Sequence, residues 1–315
     1  MAKSLQIIVH GCDGSTWHVH GQGSGREGVA LAQGGVEGLF SAPVRTFWKS
    51  RARQSGGTMK GRLNDWRDLF LKFHIVSGRA VSGVDQETLM GQFREAFDYR
   101  EDDWDHDAKL ARIQVISEKS DRSLDVQLYE HPDFNPNIDP VYRGHADPKL
   151  PLRAGQPMWY EPDVVTTWST TSTSGSGEII VSNPTDQVMY QKWILTRGSW
   201  TLPDKSWAGP KRHRVPGISK LNGRDDSNRT ILMPTITAVH GGAVVDLDPM
   251  KLMVRDAHDT NLLGQMPVPG RYFEYAIPPY TPETPLPVSV TGAPAGGAMV
   301  QLVQPRLWSE PIGLQ

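Results

Sequence analysis

The chain contains one cysteine, Cys12, in 315 residues. A lone thiol excludes an intrachain disulfide, a four-cysteine zinc site and a CxxC redox motif, and gives no sign of selection for an oxidising compartment. Neither sign of charge is in excess: 33 lysines and arginines stand against 35 acids, for a formal net charge of −2. No global positive field exists to hold phosphates or an anionic membrane, so neither nucleic acid nor membrane insertion is expected. Apolar runs of about 18 residues are absent, and the apolar stretch at residues 5–9 is too short for a secretory h-region. A soluble protein made in a cytoplasm is the expectation. Glycine and proline, by contrast, number 31 and 24 and follow no collagen-like period, which points to short strands and many turns. Ten tryptophans are many for this length. Trp17, Trp104, Trp200 and Trp207 sit in polar text, where an aromatic body with one N–H donor suits an interface as well as a core.

Signatures of catalysis are missing too. There is no GxSxG and no HExxH, and Asp186, Asp225, Asp226, Asp246 and Asp248 lie in turn-like text where aspartate serves structure. The string from Gly23 to Gly28 matches GxGxxG, but no helix follows it and Phe47, Trp48 and Lys49 occupy the region where a ribose-binding acid belongs. His10, Cys12, His18 and His20 could meet across a hairpin, yet they lack a recognised zinc spacing. Asp103, Asp105 and Asp107 imitate the opening of a calcium loop. Ala108 then stands where the turn needs glycine, and Gln114 where a bidentate glutamate is needed. The chain is therefore expected to use no catalytic residue, cofactor, metal or thiol.

Alternation marks the strands. Residues 5–9 and 16–20 flank a turn, with Trp17 and Val19 on one face. Residues 21–62 are broken by glycines and read as an extended arm or a long hairpin reaching away from the core, carrying Phe40, Phe47 and Trp48 beside the basic Arg51 and Arg53. Too broken to add much to its own core, the arm is a candidate for burial against a second copy. Residues 66–76 alternate Leu69, Leu71, Phe73 and Ile75 against polar neighbours. One convincing helix follows, with Leu89, Phe93, Ala96 and Phe97 on its apolar face and Ser82 or Asp85 as its cap. Two alternating strands centre on Ile113 and Leu124.

Repeated prolines and then a Ser/Thr/Gly-rich stretch place a domain boundary near 160, with a linker at 161–177. Strand signals resume at 178 and continue to 303, interrupted by a polar insertion at 196–229. That insertion holds Trp200, Trp207, Lys211, Arg212 and Arg214, a combination suited to a sugar or an acidic protein face. The expected fold is mainly β, two sandwiches over 1–160 and 178–315, the first with one helix and the arm.

The order of these features carries a resemblance. GSTWHVHG, GLFSAPV, WRDLFLKFHIVSG, FDYREDDW and LARIQVISEKSDRSLDVQLYE resemble the ring-forming half of distal tail proteins of long-tailed phages. PMWYEP, IIVSNPTDQVMYQKWIL, RTILMPTI, VVDLDP and RYFEYAIPPYTPETPLPVSV are similar to the galectin-like, carbohydrate-binding-module-like half of minor tail proteins of actinobacterial phages. The resemblance implies a homo-hexameric ring at the virion tail tip, assembled in the host cytoplasm. Its implied partners are the major tail tube protein, the tape measure protein, a tail-associated hub or fibre protein and, for the second half, a host surface glycan. The alternative from another class is a soluble carbohydrate-binding protein or a β-sandwich glycan hydrolase.

Overall fold

The computed structural model describes residues 4–53, 55–79, 83–134, 136 and 138–315. It is mainly β and divides into two compact units. One comprises the chain up to Tyr160 together with Trp308–Leu314; the other comprises Glu161–Leu307 and Gln315.

In the first unit β1 (Gln6–His10) and β2 (Thr16–His20) form the expected hairpin and bury Ile7, Val9, Trp17 and Val19. β3 (Val29–Glu37) comes next, then an isolated hairpin of β4 (Arg45–Lys49) and β5 (Thr58–Leu63), then β6 (Arg67–Val76). β3 pairs with β6, and Val29 and Leu39 are buried in the unit's core. This corrects the reading of 21–62 as one segment outside the core: β3 belongs to the core sheet, while β4 and β5 pair only with each other. Gly38 makes the change of direction. Its φ of +74° is left-handed, and a Cβ there would lie 2.0 Å from the Asp68 carbonyl oxygen.

Helix α1 (Gln86–Glu95) begins at Asp85, whose carboxylate accepts from the Thr88 backbone N–H at 3.0 Å; Ser82, the other expected cap, lies outside the described residues. Phe93 on its buried face meets Trp17 and Phe73 edge-on, with ring centres 5.2 and 4.9 Å away. β7 (Ala111–Ile116) and β8 (Asp121–Leu128) pair as a hairpin beside β1. A one-turn helix α2 (Pro140–Arg143), absent from the sequence reading, is capped by Asp139 and closed by left-handed Gly144. After it, β9 (His145–Ala146) and β10 (Lys149–Ala154) both pair with β6. The helices of the described residues are all short, and none is long and apolar enough to cross a membrane.

Residues 161–177 are two strands and the turn between them at 171–174, not a linker. β11 (Trp159–Thr170) runs from the first unit into the second and is followed by β12 (Gly175–Asn183). Threonine, valine and tryptophan favour a half-exposed pleated surface, so the text that looks like low-complexity connection is β-forming. The insertion at 196–229 is also part of the fold: β14 (Ser199–Pro203) follows β13 (Lys192–Leu195), and a small ladder of β15 (Trp207–Ala208) and β16 (Val215–Pro216) precedes β17 (Thr230–Leu232). The remaining strands are β18 (Ala243–Asp246), β19 (Val254–Asp256), β20 (Thr281–Thr291) and β21 (Ala298–Trp308).

Within the run of strand signals from 178 to 303, residues 235–239 and 272–277 contribute only single bridges, Ile236 to Gly198 and Ile277 to Met189. Two ladders, β12-β20-β14-β17 and β19-β18-β13-β21, supply one core containing Trp193, Trp200, Val245 and Leu302. Pro282, Pro285 and Pro287 fit within β20 because β14 joins it only at Ser289–Thr291, so their missing N–H groups leave no inner ladder unpaired.

Candidate functional site

The β4–β5 hairpin is the most conspicuous unpartnered feature of the first unit. Its two strands pair only with each other, with a register shift between Phe47 and Trp48. A lone two-stranded ribbon is marginal in water without something covering a face. Here Phe47 is 48% and Trp48 62% exposed, with Phe40, Met59, Leu63 and Trp66 exposed nearby. The Arg45 guanidinium lies 5.6 Å from the centre of the Phe47 ring and pairs with Asp65 at 3.1 Å, and Trp48 Nε1 donates to Thr46 Oγ1 at 3.0 Å. Residues 44–63 hold six cations, Arg45, Lys49, Arg51, Arg53, Lys60 and Arg62, and no acid. The base is closed by a hydrogen bond from Asn64 Nδ2 to the Pro43 carbonyl at 3.1 Å.

Arg67 anchors the approach to this hairpin. Fully buried, it donates to the carbonyls of Leu39 at 2.9 Å, Phe40 at 2.7 Å, Pro157 at 2.8 Å and Ser309 at 2.9 Å. Desolvation lowers its pKa to about 10, still well above neutrality, so the guanidinium stays charged and is held by carbonyl dipoles in place of water.

The expected recognition loop of the second unit is corrected by burial. Trp200 is 0% exposed, donates from Nε1 to the Thr196 carbonyl at 2.8 Å and meets Trp168 edge-on at 6.1 Å; Trp207 is also core. Neither presents a flat face to a ligand. Lys211 and Arg212 gather instead on Tyr280, each 5.2 Å from its ring centre, and Arg214 Nε donates to the Pro279 carbonyl at 2.9 Å.

Three neighbouring carboxylates of this unit are held by arginine. Arg229 Nη1 lies 2.9 Å from Asp204 and its Nη2 3.1 Å from Glu274, while Arg224 contacts Glu274 and lies 3.3 Å from Asp226. Asp204, buried, also accepts from the backbone N–H groups of Glu274 and Tyr275 at 3.0 Å each, yet burial raises its pKa to about 6 against those pulls.

The hairpin histidines do not converge. His10 Nε2 meets Gln114 at 2.9 Å, and His18 lies between Glu27 at 2.9 Å and the Arg26 guanidinium at 3.0 Å. Cys12 Sγ donates to the Glu95 carbonyl at 3.4 Å. A different group does converge, and sequence reasoning missed it: His74, His145 and Asp147, joined by strand pairing across 73 positions of chain.

No known family model matches the chain. It is 23% identical over 328 residues to minor tail protein Gp27 of Mycobacterium phage L5, covering 93% of this chain and 94% of that protein. To minor tail protein Gp27 of Mycobacterium phage D29 it is 24% identical over 330 residues, again covering 93% and 94%. Among solved structures, the Dit protein of phage SPP1, described as a paradigm of the hub adsorption apparatus in phages infecting Gram-positive bacteria, matches over 96% of this chain and 99% of its own, with a TM-score of 0.54 at 10% identity. The chain is a homologue of mycobacteriophage minor tail proteins, and its fold is that of a phage Dit protein.

Proposed function

We propose that the chain is a non-catalytic structural protein of a phage tail tip, assembled in the host cytoplasm and carried in the virion. In this reading the first unit forms a six-fold ring with its own copies. The ring joins the major tail tube protein and the end of the tape measure protein to a tail-associated hub or fibre protein, and carries the galectin-like second unit. The observation that carries the reading is similarity along nearly the whole chain, to minor tail proteins in sequence and to a Dit protein in fold.

The hairpin supports a ring contact through Phe40, Phe47, Trp48, Arg51 and Arg53. Exposed aromatics on a ribbon with six cations and no acid suit an acidic surface that excludes water. Such a surface exists on a second copy: the loop at 101–107 holds five acids, and its Trp104 is 86% exposed. Arginine pairing makes Asp204, Asp226 and Glu274 poor candidates for the general acid and base that the glycan-hydrolase alternative needs. A host glycan, if bound by the second unit, meets the Lys211, Arg212 and Tyr280 corner, since Trp200 and Trp207 are core.

Replacing residues 44–63 by a short Gly/Ser bridge between Pro43 and Asn64 tests the reading. Electron microscopy and sedimentation of the parent should show rings, alone or with tail partners, and the bridged variant should stay folded and fail to form them. Rings from the bridged variant would remove the hairpin from the interface. Absence of the parent protein from purified tails would overturn the tail-tip function itself.

A further inference from the structure

β6 and the chain through β9 and β10 keep one register, with Val76 opposite His145 and Lys72 opposite Lys149. That register sets His74 opposite Asp147, and alternation along the strand puts His145 on the same face as Asp147. The cluster is thus built by sheet pairing. His74 Nδ1 lies 2.5 Å and His145 Nε2 3.0 Å from the same oxygen, Asp147 Oδ1, and the two imidazoles stack with centres 5.7 Å apart and planes 28° from parallel. One ligand atom from each residue lies within 4.8 Å of the others, and no other trio of His, Cys, Asp or Glu among the described residues comes as close.

We propose that His74, His145 and Asp147 bind one divalent transition-metal ion, of the zinc or cobalt type, with water in the fourth position. Tetrahedral bonds of about 2.0–2.2 Å place ligand atoms roughly 3.3–3.5 Å apart, which small rotations of these partly exposed side chains can reach. Two imidazole nitrogens and one carboxylate oxygen select zinc, cobalt or nickel over calcium and magnesium, which take shells of oxygen. Two cations lie next along this face: the Lys149 ammonium turns to Glu37 at 3.5 Å and lies 4.7 Å from the centre of the Phe70 ring, and the Lys72 side chain is exposed, where solvent and salt screen its charge. His18 provides the contrast: both its ring nitrogens are engaged, one by the Arg26 guanidinium, whose charge repels a metal. The bound ion clips the two-residue edge strand β9 to β6. This site departs from the expectation of a metal-free chain, since the register that assembles it is invisible in the primary sequence.

The full chain, purified without a histidine tag and stripped with chelator, is titrated with Co²⁺ and the visible absorption of the bound ion is followed. One Co²⁺ per chain should bind, Zn²⁺ should displace it, and Ca²⁺ and Mg²⁺ at equal concentration should not. Affinity should fall by more than about 10–100-fold, the effect of losing a mere supporting hydrogen bond around a metal ligand, in His74→Ala/His145→Ala, and should be unchanged in His18→Ala. Zn²⁺ should raise the thermal midpoint of the parent and not of the double variant. If that variant is misfolded by circular dichroism, Asp147→Asn decides, because it preserves shape and removes the anionic ligand. No Co²⁺ on the parent, or undiminished binding by the folded variants, overturns the proposal and leaves an ion-paired histidine cluster.

Discussion

The Arg122 guanidinium carbon lies 3.8 Å from the centre of the Trp308 ring, and Arg122 Nη1 donates to the Glu310 carbonyl at 2.9 Å. Both side chains are buried in the first unit, so the segment Trp308–Leu314 completes a core begun nearly three hundred residues earlier. Trp308→Ala should therefore destabilise the first unit by about 3–5 kcal/mol, the usual cost of a large aromatic cavity. Urea unfolding checks this, and a midpoint like the parent's would show that the returning segment is not structural.

Trp200→Ala and Trp48→Ala should behave in opposite ways. The first removes a fully buried ring and should cost the second unit about 3–5 kcal/mol. The second changes an exposed side chain and should alter stability by no more than about 0.5 kcal/mol while impairing assembly. Denaturation and sedimentation on the same samples separate the two effects.

If the hairpin docks on the acidic 101–107 loop of a second copy, Lys49→Glu/Arg62→Glu should weaken ring formation, and Asp102→Lys/Asp105→Lys in the same chain should restore it. Assembly of the parent should also weaken as salt rises, because exposed charge pairs are screened over about 10 Å at 0.1 M. Failure of the second pair to rescue the first would assign the hairpin to another partner.

The raised pKa of Asp204 predicts the sign of a pH effect. Between pH 3.8 and about 6 the folded carboxyl keeps a proton that the unfolded chain has released. Unfolding free energy consequently falls as pH rises through that window, by about 3 kcal/mol for an isolated shift of this size. Asp204→Asn should flatten that part of the profile, read from urea midpoints at pH 4 and 6.5. An identical slope in the variant would place the titration elsewhere.

Cys12 should be dispensable. Burial, then Asp13 and Asp98, raise the pKa of its thiol and disfavour the reactive thiolate. Alkylation at neutral pH should be slow, and Cys12→Ser should assemble normally; loss of tails in that variant would expose an unrecognised role.

The β class was legible because alternation reports one-sided burial directly. Leu69, Leu71, Phe73 and Ile75 read as one face and are one face, and the spacing of Leu89 and Phe93 did the same for α1, although the helix stops at Glu95 and Phe97 is buried from the turn beyond it. Tryptophan defeated that reading. Trp200 and Trp104 both sit in polar text, yet one is core and the other is solvent-facing, since an isolated aromatic carries no period of its own.

By itself the sequence determined most of the strands, the capped helix, the near-zero net charge and the basic, aromatic segment around Phe47 and Trp48, all consequences of neighbours along the chain. Only the tertiary structure decided that most of residues 161–177 is strand and that Trp308 closes the first core. It also decided that His74 faces Asp147. Each of these depends on pairing between segments far apart in sequence, and a register of one residue more or less would turn every side chain concerned to the other face.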